Sequence, residues 1–148
     1  MPDIGLNPPS SGNIHSFTGV ATVAGIRFAH VVVAPAATPN HSDVALAAGA
    51  GAVGVLGIVT DQMGPAGSAI GDTMSIRDAG DAETYLDVGQ AVNVEDVLIT
   101  GATPGTVKPV GTEPAPYDVV GRSLQKYTND TGAPSRISCR LGIQRRFT

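Results

Sequence analysis

The chain has no tryptophan and a single cysteine, only three phenylalanines and three tyrosines, and charged residues make up just 15% of its 148 positions. Each scarcity excludes something. A lone Cys139 cannot close an intramolecular disulfide or build a thiolate metal site, and it falls in the alternating stretch SRISCRLGI, where a small strand side chain is expected. Long apolar runs are missing too. The most apolar uncharged stretch, residues 44–60, is shorter than the roughly 20 apolar residues a spanning helix needs, and four glycines interrupt it. No basic and apolar leader opens the sequence, so the chain is expected to stay in the compartment where it is made. No window holds a 3.6-residue apolar period over a helical length.

What the chain does have is glycine and proline, 19 and 11 residues, with much alanine, valine, threonine and aspartate. That mixture favours short strands joined by tight turns. Strands are expected at 15–20, 28–34, 44–47, 53–60, 73–77, 84–88, 97–100, 106–110, 117–125 and 136–146. DQMGPAGSAIGD reads as a loop with at most one helical turn, and RDAGDAETYLD as a solvated acidic turn. Two stretches, GAVGVLGIVTD and YDVVGRSLQKY, place glycine among β-branched residues, the mark of a bulge or a close backbone approach. The expected fold is all-β, a small barrel or sandwich with an extended N-terminal arm and little helix. Residues 1–14, with Pro8 and Pro9, form the arm, and residues 15–148 a single compact β domain.

Candidate chemistry is thin. His15, His30 and His41 have no metal-binding spacing. Gly49 to Gly54 matches G-x-G-x-x-G, but VLGIVTD follows where a phosphate-binding helix would have to start, so a turn between strands fits better. Asp78, Asp81, Glu83 and Asp87 lack the spacing of a calcium loop, and Ser10, Ser11 and Ser123 lack a nucleophile elbow. The expectation is no catalytic residue, no cofactor, no metal and no enzymatic activity. The enzyme class of comparable size is that of the trimeric all-β nucleotide hydrolases, whose acidic substrate-binding segment RDAGDAETYLDV loosely resembles, but their glycine-rich, aromatic C-terminal motif has no counterpart.

Charge is unevenly spread. Residues 1–121 carry twelve acids against Arg27, Arg77 and Lys108, whereas residues 122–148 carry six bases against Asp130 alone. The last segment is thus a basic strip on an acidic protein. Alternating arginines with few stacking aromatics argue against a nucleic-acid partner, and pairing with an acidic surface, the chain's own or a partner's, is expected instead.

The order of the segments carries further information. VVVA, GVLGIVTD, AIGDTMSI, YLDVGQAVNVEDVLIT, VKPVG and YDVVGRSLQ follow one another between Arg27 and Gln125. This ordered set resembles the capsid decoration, or cement, proteins of tailed bacteriophages, with Glu95-Asp96 where that family often has Gly-Asp and VVGRSLQ near its VGRAL-like strand. The resemblance implies a β-rich homo-oligomer, dimer or trimer, that attaches to the major capsid protein on the outer surface of an assembled virion and catalyses nothing. A head fibre base or a tail-associated β-module is the alternative virion role; neither nucleic acid nor membrane is an expected partner. From the chemistry of the two ends, Ile4, Leu6, Pro8, Pro9 and Ile14 of the arm and Arg140, Arg145, Arg146 and Phe147 of the last strand are the candidate capsid or subunit contacts.

Overall fold

Nearly all the expected runs become strands in the computed structural model, which describes residues 15–37 and 42–148. In chain order these are β1 (His15–Ala21), β2 (Val31–Val33), β3 (Asp43–Leu46), β4 (Val55–Val59), β5 (Thr73–Leu86), β6 (Ala91–Val92), β7 (Val97–Thr100), β8 (Thr106–Pro109), β9 (Tyr117–Ser123), β10 (Tyr127–Thr128) and β11 (Ser135–Arg146). The fold is all-β, with no helix among the described residues.

The pairing pattern closes two rings of five strands on one shared member. The first ring runs β1, β3, β2, β4 and the first half of β5, which pairs back to β1. The second runs from the last half of β5 through β11, β9, β7 and β8, which returns to β5 by a short parallel pairing of Tyr85 with Thr106 and Leu86 with Val107. Closure removes exposed sheet edges, the usual route to unwanted association. A two-stranded flap of β6 and β10 lies beside the second ring.

Alternation along β2 and β4 explains how the rings join. Val32 and Val59 point into the first ring with Ala21, Ile26, Val44, Met74 and Ile76. Val31, Val55 and Ile58 point the other way and pack with Leu86, Leu98, Val107, Val120, Ile137, Cys139 and Leu141. Strands buried on both faces must be apolar at successive positions, which is why VVV and VLGIV read as unbroken runs. The two strand glycines serve close approach, as expected. A side chain at Gly57 would be driven into the Arg77 carbonyl oxygen, and one at Gly121 into that of Arg140. At Gly57 the register against β2 also slips, leaving Leu56 as the extra residue of a bulge.

Two expectations need correction. The acidic stretch is not a turn: β5 runs unbroken through it for 14 residues. Inward Gly80, Thr84 and Leu86 alternate there with outward Asp81 and Glu83, and β11 pairs along the whole segment. The expected strand at 28–34 starts only at Val31. Ala29 adopts φ +72°, and the backbone N–H groups of Arg27 and His30 bond back across this turn, to His30 Nδ1 at 3.0 Å and Arg27 O at 3.2 Å. As expected, the stretch after β4 is a loop; it forms tight turns without a helix and is laced to the loop after β1. Buried Ser68 exchanges backbone bonds with Gly25 and Ile26 at 2.8 Å each, and its hydroxyl accepts from Ile26 N at 3.1 Å.

Candidate functional site

The arginines of the last strand occupy two settings. From Ser135 to Leu141, β11 alternates strictly: Ile137, Cys139 and Leu141 enter the core while Arg136, Ser138 and Arg140 face outward. Antiparallel register sets Arg140 opposite Asp81, with Nε 3.0 Å from Oδ1, and Arg136 reaches Glu83 at 3.4 Å while lying over the Phe28 ring at 5.2 Å. The acidic stretch and the basic strip therefore meet in part within the same molecule. Exposed pairs of this kind contribute under about 1 kcal/mol each, so their main effect is on register.

Beyond Gly142 the strand pairs only with β9, in a register that shifts between Leu141 and Gln144. Arg145 now donates from Nε to Oδ1 of Asp118, with Nη2 3.4 Å from Oδ2. The bond raises the Arg145 pKa further above its ordinary value. Asp118 is buried, and its Oδ2 also accepts from the backbone N–H of Gly54 at 2.7 Å and of Val55 at 2.9 Å. One carboxylate thus ties the start of β4 in the first ring to β9 and β11 in the second. Arg146 and Phe147 follow in the open, Phe147 at 73% exposure.

The arm residues Ile4, Leu6, Pro8, Pro9 and Ile14, and also His41, lie outside the described residues. The first described residue, His15, pairs with Ala79 in the middle of β5, with its Nδ1 2.6 Å from Asp78 Oδ1. Gly142 of β11 pairs with that same Ala79 from the other side. The structure thus brings the strand that continues the arm alongside the point where β11 leaves β5.

The remaining polar candidates are engaged in the architecture. His30 packs against Tyr85 with the rings tilted by 53° and their centroids 5.4 Å apart, and burial, helped by Arg27, lowers its pKa so that the ring stays neutral. Burial and the Asp81 charge push the Cys139 thiol up to about 12, far from a reactive thiolate. Asp87 organises the GATPG turn, accepting from Ala102 N at 2.9 Å, Thr103 N at 3.2 Å and Thr103 Oγ1 at 2.6 Å. Burial acts to raise its pKa, but these bonds and that from Val88 N outweigh it and hold the carboxyl below its ordinary value. Fully buried Asn129 bonds the Leu86, Asp87 and Ala133 carbonyls through Nδ2 and accepts from Thr131 and Ser135 at Oδ1. Among the described residues no three His, Cys, Asp or Glu side chains gather as a metal site.

No known family model and no curated protein sequence matches the chain. A solved structure shares its fold. The head fiber gp8.5 N base in bacteriophage phi29 is similar with a TM-score of 0.50, covering 87% of this chain and 94% of that one at 15% sequence identity. At that identity the likeness concerns the fold, and it runs through both rings. One functional candidate escaped the sequence reading. Arg122, in VVGRSLQ, is exposed and stands directly across from Arg140 in the β9–β11 pairing. Strict alternation along YDVVGRS would put Arg122 on the face of buried Val120, so its exposure becomes legible only once the strand partner is known.

Proposed function

We propose that the chain is a structural protein of a phage virion that binds the outer surface of the assembled capsid and stabilises it. The observation that carries the reading is the fold shared over 94% of the head fiber base chain; the ordered segment resemblance to decoration proteins supports it independently. In this reading the two-ring body is a rigid scaffold without enzymatic activity. Its partner is the major capsid protein, it acts as a homo-oligomer, and contacts come from its surface strands and terminal segments. Repeated many times over a shell, a modest individual affinity would raise the cost of separating capsid subunits.

The same likeness equally supports a second reading, in which the chain is the base of a head fibre and anchors a projecting element on the capsid. Co-sedimentation with assembled capsids and with unassembled capsid protein tests the common part: binding to capsids alone is expected, and binding to neither overturns both readings. Heating capsids with and without saturating protein then separates the two. A decoration protein raises the temperature at which the shell opens, whereas a fibre base leaves it unchanged.

A further inference from the structure

We propose that the groove between β9 and β11 docks an acidic segment of a partner protein, which on the reading above is a capsid subunit. The backbone makes this groove. β11 separates from β5 at Gly142, its register shifts between Leu141 and Gln144, and pairing resumes on β9. Neither Gly121 nor Gly142 projects a side chain there, and a cavity of about 270 Å³ results. Its floor is apolar, from Val97, Val119 and Leu141, and its rim carries Arg122, Arg140 and Arg146.

The charge arrangement is unusual for a protein of net charge −4. Arg122 and Arg140 are direct cross-strand partners, an opposition of like charges that costs stability in a sheet. Asp81 offsets Arg140. Arg122 donates to the backbone carbonyl of Glu95 at 3.1 Å, and among the described residues no carboxylate forms an ion pair with Arg122 or Arg146. Glu95 also lines the groove without closing a pair. Two guanidinium groups without a carboxylate partner, Arg122 and Arg146, therefore stand above an apolar floor. That pattern fits an aspartate or glutamate beside an apolar side chain, because planar guanidinium groups bind carboxylates through two parallel hydrogen bonds. A nucleic acid fits less well. The cavity takes side chains and offers no extended track along which a phosphate backbone could lie.

The test compares the wild-type protein with a double charge reversal, R122E/R146E, and with R136E, which alters an arginine of β11 outside the groove. A fluorescein-labelled peptide of alternating Glu and Leu, its Lys-for-Glu counterpart and a single-stranded DNA oligonucleotide serve as probes, and circular dichroism melting verifies that the variants fold. The wild type should bind the acidic peptide, less tightly as salt rises, and R122E/R146E should weaken that binding roughly tenfold or more while R136E changes it less than about threefold. No acidic-peptide binding, equal binding by the double reversal, or preference for the oligonucleotide overturns the groove assignment. Co-sedimentation of the same proteins with assembled capsids separates this inference from the proposed function. If the wild type holds the peptide at the groove yet ignores capsids, the capsid reading fails and the groove stands.

Discussion

The two rings share β5 but are held together differently. Inside the first ring seven buried apolar residues pack together, and the nearest buried polar side chain is Ser68 in a loop. The second ring has a larger apolar core, and around it stand buried Asp87, Asp118, Thr100, Thr106, Ser123 and Asn129. The difference follows from what each ring must hold. The first has short strands and loops that lace to each other, so apolar burial is enough to define it. The second carries the GATPG turn and the connection before β11, whose buried backbone groups are met by Asp87 and Asn129, and its Asp118 and Thr100 reach across to the backbone of the loop before β4. Apolar packing shapes the first ring, and polar anchors fix the second, which carries the arginine groove.

Mutations can break that contrast. Ile76→Ala removes a fully buried side chain from the smaller core and should cost the most, about 3 to 4 kcal/mol in chemical denaturation. Asn129→Ala leaves several buried groups of the second ring without partners and should cost about 2 to 3 kcal/mol, although almost no apolar surface is lost. If Asn129→Ala proved harmless, the second ring would be held by its core alone.

Titration sharpens the comparison. His30 has a folded pKa below its ordinary 6.5, so its contribution is complete above that value and is lost as pH falls through the folded one. Asp87 behaves likewise from a lower start: its contribution is complete above pH 3.8 and is lost as pH falls through its depressed folded pKa. Melting temperature against pH should therefore fall in two stages, with His30→Gln flattening the upper and Asp87→Asn the lower. The smallest effect is expected from Arg140→Ala, under about 0.5 kcal/mol, since its pair with Asp81 is exposed.

Much of the fold was legible because β-branched runs and Gly/Pro punctuation act locally. Eight of the eleven strands were expected near their observed positions: β1, β2, β3, β4, β7, β8, β9 and β11. β5 was read as two pieces because its acids suggested water, and only backbone pairing with β11, distant in sequence, makes that segment a strand. β6 and β10 have two residues each, too few for any period to register. At the site, the basic strip was visible as composition, but its division was not. The slip after Leu141 sends Arg145 to Asp118 and leaves Arg146 outside, and a bulge of that kind depends on the partner strand.

β5 also has a mechanical meaning. Its 14 residues span about 46 Å, and it belongs to both rings at once. β1 and β11 grip it from opposite sides, and their pairings meet at Ala79. A pull along that strand, applied through β1 and resisted through β11, loads its hydrogen bonds in shear and together instead of opening them one after another. Such a body behaves as a rivet, able to pass tension from one ring to the other before either opens.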